Sequence, residues 1–421
     1  MLQSLCAYQG AIGIVVFTLI AFAMSENKKK LRAQPIILGI IAQFFLFIVL
    51  TKVPCIKDVL FAIAAGICRL KDATEAATSF VFGYVGGGAT PFDVKSSSNL
   101  FILAFQVLPM LMVISALTML LFHWRIMQFF VKSLSFLMQK TLKLGGALGI
   151  VAAAKIFLGQ TEVPFLVRPY LSKLTKHELF TIITCGMATT SGMAMVLYAT
   201  ILDNVITNAL NHILIATVMG IFSAIWISRI VVPQSDQQTF CEFVSPYKFS
   251  SAMEAISRGT SDGLRLWANV IAILVVMLAL VKLLNIMLGV LPDVCSAPIT
   301  IERILGFIIA PIAWTMGIPW SESGLAGNLI GIKTVLNEIV AFIGLSETYS
   351  QLSEKARIIM VYGLCGFANF GSIGIVIEVF GNLSPERKDE VMGMSVKAMI
   401  TGAIATCLSA TVAGIVWDLL G

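Results

Sequence analysis

Charged side chains are scarce in this 421-residue sequence. Asp, Glu, Lys and Arg make up 12% of it, whereas 58% of the residues are hydrophobic and the mean hydropathy is +0.92. Because soluble domains carry charge at about a quarter of their positions, this composition excludes an ordinary soluble protein. Polar stretches such as SENKKKLRAQ are too short to bury a core of their own, so we expect no soluble domain.

Metal-binding and disulfide patterns are missing as well. The eight cysteines are scattered, mostly through apolar segments, without CxxC or Cys/His spacing, and we expect them to be packing residues. The three histidines form no HExxH or other metal-ligand spacing, so we expect no metal and no organic cofactor. The net charge is +6, and the basic residues lie mainly in short connectors between apolar segments, a pattern typical of cytoplasmic loops. Because membrane topology explains these basic residues, we expect no nucleic-acid partner.

Long apolar segments, by contrast, are abundant. Crossing a hydrocarbon core of about 30 Å takes roughly 20 residues, and eight segments are close to that length or longer. They lie at 8–24, 35–54, 99–122, 178–202, 206–232, 266–291, 356–381 and 391–419. The first has neither a basic region before it nor a small-residue cleavage site after it, so it predicts a retained helix and not a signal peptide. Two other stretches, 56–80 and 123–140, mix apolar and charged residues at helical spacing, which indicates helices lying along the membrane surface.

Basic residues predict the orientation of the crossing segments. The connector after the first segment carries the run KKKLR at 28–32, which places that connector in the cytoplasm and the N-terminus outside. Eight crossings then return the C-terminus to the outside of an inner (cytoplasmic) membrane. The same arrangement keeps further basic residues inside, namely Arg125, Lys132, Lys140, Lys143, Lys173, Lys176, Lys248, Arg258, Arg387 and Lys388.

Two apolar stretches do not predict simple crossings. Residues 144–172 contain GQTEVPFLVRPY and residues 303–346 contain GIPWSESGLAGNLIGIKTVLNEIVAF, so each is interrupted by Gly, Pro and an ionisable group. Broken backbone is tolerated at membrane depth only where it is buried in protein or lines a cavity, so both stretches predict re-entrant hairpins.

Each hairpin is followed by a crossing that contains small and polar residues, GMATTSGM at 186–193 and GFANFGSIG at 366–374. The offset from the hairpin carboxylate to this break is similar in the two halves, 27 residues to Thr189 and 31 residues to Asn369. Such a repeat of broken segments indicates a transporter with a site near the bilayer midplane. The chain then divides into N-terminal helices and scaffold elements (1–140), a first transport half (141–232), a cytoplasmic connector with a scaffold helix (233–300) and a second transport half (301–421).

Glu162 is the candidate functional carboxylate of the first hairpin. Because Pro164 favours the first turn of a helix, we expect Glu162 and Thr161 at a helix start, where free N–H groups favour an anion. Gln160 adds an amide that can donate and accept hydrogen bonds. The structural alternative is an ion pair with Arg168, but a carboxylate within the membrane is costly and is usually functional.

Glu338 repeats this arrangement in the second hairpin, with Lys333 as the alternative structural partner. In the break that follows, Asn369 and Ser372 are three residues apart and share a helix face, with Phe367 close by. Amides, hydroxyls and carboxylates beside an aromatic ring suit a neutral ligand with several hydroxyls and a planar ring, such as a sugar joined to a base. Hydrogen bonding between membrane helices explains Asn369 and Ser372 about as well.

The ordered motifs GQTEVPFLVRP, NEIVAF and FANFGSIG, together with TSFVFG at 78–83 and FQVLPMLMVISAL at 105–117, resemble those of the concentrative nucleoside transporter family. The resemblance implies an all-α polytopic membrane protein with eight transmembrane helices, two re-entrant hairpins, interfacial helices and an inverted-repeat transport domain. It also implies a homotrimer in the lipid bilayer, not an enzyme, that imports nucleosides such as uridine and cytidine by cation symport and elevator-type alternating access.

The resemblance also implies a role for each residue that matches a position of the family's motifs. The residues implied to face the nucleobase are Gln160, Thr161, Glu162, Leu266 and Phe367. Those implied to hold the ribose are Glu338, Asn369 and Ser372. Ala194 stands where the aligned sodium-coupled relative has Val beside the base, and the extra room predicts that purine nucleosides such as adenosine are accepted together with pyrimidines.

The sequence departs from the family at the sodium site. Sodium-coupled relatives have Asn five residues before the Gln of GQTE, where this sequence has Lys155, while the hydroxyl partner in the next helix is kept as Thr189. A lysine ammonium within a few ångströms of Na⁺ repels it by about 4 kcal/mol at an effective dielectric constant of 20. Either Lys155 acts as a tethered cation in this site, or the coupling ion is H⁺, which we favour over Na⁺. A third alternative is that Lys155 extends to the cytoplasmic interface and leaves a sodium site intact.

Two other classes of function stay open as alternatives. An intramembrane hydrolase would use Ser191 of TTSG with a histidine, and the histidines are His123, His177 and His212. A channel, or a secondary transporter for another polar solute, would also use two carboxylates in broken helices. The hydrolase is disfavoured by the missing metal-ligand spacing. The channel is disfavoured because the candidate residues offer more neutral hydrogen-bonding groups than an ion site needs.

Overall fold

The computed structural model describes residues 2–30, 33–93, 102–142, 144–203, 205–234, 239, 247–293 and 298–420. Within these residues the chain is helical and contains no β-strand. The helices are α1 (Leu2–Ala23), α2 (Ala33–Lys52), α3 (Pro54–Phe82), α4 (Leu103–Gln106), α5 (Met110–His123), α6 (Ile126–Leu142), α7 (Gly146–Ala154), α8 (Val163–Val167), α9 (Lys176–Ala188), α10 (Gly192–Ile201), α11 (Ala209–Val231), α12 (Ala252–Leu288), α13 (Ile301–Thr315), α14 (Trp320–Val335), α15 (Glu338–Thr348), α16 (Glu354–Leu364), α17 (Phe370–Leu383) and α18 (Lys388–Leu420).

The eight segments predicted to cross the membrane all coincide with helices. Six correspond to α1, α2, α4 with α5, α11, α12 and α18, and the other two are each divided, into α9 with α10 and into α16 with α17. In the described part of the chain, four helices are by themselves long and apolar enough to cross, or six if each of two bent pairs counts as one crossing. The divided segments fall outside this count because none of their halves exceeds 14 residues.

Short polar side chains determine where the divided helices begin. Thr175 and Glu178 form a capping box at the start of α9, and Ser353 caps α16. After each break the chain needs a new cap, which Ser191 supplies for α10 and Asn369 for α17. The small and polar runs recognised in the sequence are therefore the sites where one helix ends and another starts.

Both stretches predicted as hairpins form helix–turn–helix units, but the second unit is shorter than predicted. Residues 144–172 contain α7, a turn at 155–162 and α8. Residues 303–346 contain three helices, because α13 is bent by 117° from α14 and only α14 and α15 flank the carboxylate. We call the turn at 155–162 tip 1 and the turn at 336–338 tip 2.

The first half of each divided helix, α9 or α16, lies in the interior of the fold. α9 and α16 pack against α11 and α18, and the apolar windows of α11 and α18 are 78% and 83% buried. α12, which packs along α5, is only 11% buried over its apolar window. The breaks are therefore surrounded by protein, whereas α12 lies at the periphery with its apolar surface uncovered.

The helices predicted along the membrane surface are present as α3 and α6. Two basic residues of the predicted cytoplasmic connectors, Arg32 and Lys143, lie outside the described residues. The cysteines whose side chains the structure describes are all unpaired, with Cys185, Cys365 and Cys407 buried and Cys68 exposed. The prediction that the cysteines serve as packing residues is thus wrong for Cys68, which stands on the outer surface of α3.

Candidate binding site at the helix breaks

Tip 1 presents Glu162 at the start of α8. Glu162 is the N-cap residue and Pro164 lies in the first turn, as predicted. The carboxylate oxygen Oε2 accepts a hydrogen bond from the Gly159 N–H at 2.8 Å, so the tip folds around its own carboxylate. None of the ion pairs in the described part of the chain joins Glu162 to Arg168, which is exposed. The structural alternative for Glu162 is therefore wrong.

Gln160 connects tip 1 to the break in the second half. Its Nε2 lies 3.4 Å from the carbonyl oxygen of Ser372 in α17 and 3.7 Å from Sδ of Met187 in α9. Gln160 is buried, whereas its neighbour Thr161 is exposed. The amide thus brings together residues that are more than 200 positions apart in the sequence.

Glu338 is held by two donors from different helices. Its Oε1 accepts a hydrogen bond from the Tyr198 hydroxyl at 2.8 Å, and its Oε2 accepts one from Nδ2 of Asn369 at 3.0 Å. The carboxylate is only 4% exposed, and each oxygen has a donor, which is what a buried carboxylate requires. Asn369 was predicted as a site residue from the sequence, whereas Tyr198 was not, because a single hydroxyl-bearing aromatic residue in an apolar segment is a weak signal.

Lys333 does not pair with Glu338, so the alternative that made it the structural partner of this carboxylate is wrong. Its Nζ donates to the carbonyl oxygen of Gly363 at 2.8 Å and to Oγ1 of Thr406 at 3.2 Å. The reason is geometric: Lys333 lies in the last turn of α14, which packs against α16, whereas Glu338 begins α15 on the other side of tip 2.

The two breaks use their polar side chains in the same way. Oδ1 of Asn369 accepts from the Ser372 N–H at 2.8 Å, and Oγ of Ser191 accepts from the Ala194 N–H at 3.2 Å. The positional equivalent of Asn369 in the first half is therefore Ser191. Thr189, which the sequence comparison of the two halves paired with Asn369, instead ends α9 and bonds back to a carbonyl of its own helix.

A glycine brings the two breaks into contact. Gly366 has a φ of +157°, and a Cβ at this position would lie 3.0 Å from the Met187 carbonyl oxygen and 2.8 Å from Cγ2 of Thr406. Only glycine permits this approach of the second break to the end of α9. The candidate residues of both halves are consequently assembled in one interior region.

Lys155 is buried at the end of α7. It is 1% exposed, and its Nζ has no hydrogen-bond partner in the structure. The ammonium lies 5.6 Å from the centre of the Phe367 ring, a cation–π distance, and interacts electrostatically with Glu162. The alternative in which Lys155 extends to the cytoplasmic interface is therefore wrong.

The remaining candidates lie at the edge of this region. Ala194 is half-buried in the first turn of α10, and Leu266 is half-buried on α12 against the hydrophobic core. Asp262, one turn before Leu266, interacts electrostatically with Glu162, which puts α12 beside tip 1. No hydrogen bond in the described part of the chain joins Leu266 or Ala194 side chains to the carboxylates, as expected for apolar groups.

The hydrolase alternative finds no support in these contacts. Ser191 is occupied as a helix cap, while His177 contacts the carbonyl oxygen of Val232 and His212 contacts the Tyr362 hydroxyl. Within the described residues, no hydrogen bond joins Ser191 to a histidine.

Comparison with known protein families matches nearly the whole chain. Residues 12–85 match the family model described as "Na+ dependent nucleoside transporter N-terminus", residues 104–205 match "Nucleoside recognition", and residues 212–414 match "Na+ dependent nucleoside transporter C-terminus". The three matches follow one another in the order of the family.

Individual proteins are similar over their full length. The chain is 34% identical over 417 residues to an uncharacterized transporter of Haemophilus influenzae, covering 96% of each protein. It is 31% identical over 412 residues to the nucleoside permease NupC of Helicobacter pylori, again covering 96% of each. Among solved structures, that of CNTnw in an inward-facing substrate-bound state matches with a TM-score of 0.90 and 29% identity, covering 99% of both chains.

Proposed function

The chain belongs to the concentrative nucleoside transporter family, and on this premise we propose that it imports nucleosides by secondary active transport through the site at the two helix breaks. It is a transporter and not an enzyme. One observation carries the proposal: a carboxylate from each tip, with Glu338 buried and Glu162 half-buried, lies beside neutral donors and an aromatic ring. Such a site can bind a ligand with a sugar at one end and a flat base at the other.

The two ends of the site have different chemistry. Around tip 2, Glu338 and Asn369 offer acceptors and a donor suited to the 2′- and 3′-hydroxyls of ribose. Ser372 completes this side. Around tip 1, Gln160 and Glu162 offer an amide and a carboxylate suited to the edge of a base. These assignments make Thr161, Leu266 and Phe367 further contacts of the base.

Heat protection by ligands tests the nucleoside proposal. Uridine should raise the melting temperature of the purified protein more than 3′-deoxyuridine does. Glu338→Gln should reduce this preference by about 10- to 100-fold in affinity, since a hydrogen bond to a charged group contributes about 1.5–3 kcal/mol. Gln160→Leu is the matched control, because it should weaken both ligands alike.

Failure of uridine, cytidine and adenosine to protect the wild-type protein would contradict nucleoside binding and favour a channel or a carrier of another solute. Protection by adenosine equal to that by uridine would support the further proposal that the small Ala194 side chain leaves room for purines. Protection by the pyrimidine nucleosides alone would contradict it.

We also propose that the coupling ion is H⁺ and not Na⁺. Lys155 occupies the position of the sodium-site Asn of the relatives. Its ammonium is buried and lies 5.6 Å from the centre of the Phe367 ring. A fixed cation here repels Na⁺, whereas a lysine that releases its proton can couple transport to H⁺. At constant pH, replacing NaCl by choline chloride should leave the uridine affinity unchanged. An affinity that requires Na⁺ would overturn this part of the proposal.

The family resemblance also supports a quaternary structure and a transport cycle for this chain. We propose a homotrimer in the inner membrane, with both termini outside and elevator-type alternating access. The apolar surface of α12, which is 11% buried within one protomer, is available to lipid or to neighbouring protomers. Native mass spectrometry should then give a mass of three times 45.5 kDa, and a monomer in mild detergent would contradict the trimer.

A further inference from the structure

Lys333 is a buried lysine for which neither the family motifs nor the proposed transport cycle provides a role. It is 2% exposed in the last turn of α14, where three helices meet. Burying an ammonium is costly unless acceptors replace the lost water, and no ion pair in the described part of the chain includes Lys333. Its contacts must therefore explain why it is there.

The acceptors of Lys333 belong to the end of α16 and to α18. The Gly363 carbonyl, at 2.8 Å, is one of the last carbonyls of α16, which ends at Leu364. Carbonyls at a helix C-terminus lack partners within the helix and carry its negative dipole end, so a cation is favourable there. Thr406 donates its own proton to a carbonyl of α18, which leaves its oxygen free to accept from Lys333 at 3.2 Å.

Tip 2 therefore binds the second break at both of its ends. Lys333, before the tip, is bonded to Gly363 where α16 stops, and Glu338, after the tip, is bonded to Asn369 where α17 starts. The intervening residues include Phe367, which Lys155 contacts from the first half. The position of the break relative to Glu338 is thus fixed by two bonds and not by one.

We propose that Lys333 is a positioning residue that clamps the C-terminal end of α16 and thereby sets the distance of Phe367 and Asn369 from Glu338. It contacts no ligand in this role. Without its ammonium, the end of α16 loses its cation, and Asn369 then makes the one remaining bond from tip 2 to the break within the described part of the chain. The break then opens more often, and the ribose side of the site loses its spacing.

The labelling rate of a native cysteine measures how often the break opens, independently of transport. Cys365 follows Gly363 by two residues and is 1% exposed, and Cys185 on α9 is equally buried in the first half. Labelling with methyl methanethiosulfonate, followed by peptide mass spectrometry, measures the rate at each cysteine of the full-length protein. Lys333→Met should accelerate the labelling of Cys365 on the order of tenfold, the effect of removing a buried helix-end cation, and leave Cys185 unchanged.

Matched variants distinguish clamping from general destabilisation. Lys333→Arg, which keeps the charge, should label Cys365 nearly as slowly as the wild type does. Thr406→Val, which removes one acceptor at almost constant volume, should accelerate Cys365 in the same direction but less. Lys388→Met, which removes an exposed lysine at the start of α18, should change neither rate. Equal acceleration of Cys185 and Cys365 in Lys333→Met, or no acceleration of Cys365, would overturn the proposal. If Lys333→Met does not fold, an unchanged Cys365 rate in Thr406→Val overturns it.

The consequence for ligand selectivity rests on the proposed function and is measured separately. In Lys333→Met the preference for uridine over 3′-deoxyuridine should fall, as in Glu338→Gln, and the double variant should lose no more than Glu338→Gln alone. A wild-type protein without any response to uridine would contradict the proposed function and leave the labelling result to decide the clamp. A preserved preference in Lys333→Met would contradict the clamp alone.

Discussion

Four ionisable side chains lie around the two breaks, three of them buried and Glu162 half-buried, and they differ in how they are satisfied. Glu338 has a donor on each oxygen, Glu162 has the Gly159 N–H, and Lys333 has two oxygen acceptors. Lys155 has none and lies against an aromatic ring. A buried ammonium without hydrogen-bond acceptors is the least stable of these arrangements. Of the four side chains, Lys155 is therefore the one whose charged form is most disfavoured by its surroundings.

Tyr198→Phe should weaken nucleoside binding because it removes one of the two donors of Glu338. A buried carboxylate oxygen without a donor costs about 1–3 kcal/mol, so we expect an affinity loss of roughly 5- to 100-fold for uridine in the heat-protection assay. Tyr362→Phe is the matched control, since the Tyr362 hydroxyl contacts His212 away from the carboxylates. Equal losses in the two variants would indicate a general packing defect and contradict a specific role for Tyr198.

Sequence patterns identified the residues with unusual chemistry but not their partners. Glu162, Glu338 and Asn369 were recognisable because a polar residue beside Gly or Pro in an apolar segment demands an explanation. Tyr198 was not, since its hydroxyl gains a meaning only when α10 is placed beside tip 2. The alternative that paired Lys333 with Glu338 was wrong for the same reason, because proximity in the chain is no guide to contacts across a turn.

At the scale of helices, caps and breaks follow one another in the same order in both halves. A half-helix ends, an extended stretch follows, and a short polar side chain starts the next half-helix. Spacing alone paired Thr189 with Asn369, but the caps show that Ser191 is the equivalent position. Spacing can detect such a repeat, but hydrogen bonds are needed to align it to the residue.

The connector between α1 and α2 is attached to the core through Glu26. Its carboxylate bonds to Lys176 at the start of α9 at 2.8 Å and to Lys397 of α18 at 3.0 Å. Burial raises the pKa of Glu26, but the hydrogen bonds from the two lysines outweigh it and leave the pKa below its ordinary value of 4.5. A carboxylate with a lowered pKa stabilises the fold above its ordinary pKa, and this contribution is lost as the pH falls through the lowered value.

Glu26→Gln should therefore lower the melting temperature at pH 7 and have a diminishing effect as the pH falls below 4.5. The difference at pH 7 should correspond to about 0.5–1 kcal/mol, because the pair is partly exposed to solvent. Thermal scans from pH 7 to about pH 3 measure it, because the contribution is lost through a pKa below 4.5, with Glu347→Gln at an exposed position as the control. A Glu26→Gln effect that grows toward low pH would contradict the assignment.

For the whole molecule, composition and hydropathy were sufficient to predict a helical membrane protein. The two broken stretches were sufficient to predict a carrier. Which helices enclose the site was not predictable, since α11 and α18 are no more apolar than α12 yet are buried where α12 is not. Burial in a membrane protein does not follow from hydrophobicity, because lipid and protein interior are both apolar environments.

The central claim is that this chain carries nucleosides through the two breaks with Lys155 in the place of a sodium ion. Uptake of radiolabelled uridine into proteoliposomes, with Na⁺ and H⁺ gradients imposed separately, tests it most directly. We predict accumulation driven by an inward H⁺ gradient, no stimulation by a Na⁺ gradient at constant pH, and Na⁺-driven uptake gained by Lys155→Asn. Full stimulation of the wild-type protein by a Na⁺ gradient at constant pH would contradict the account.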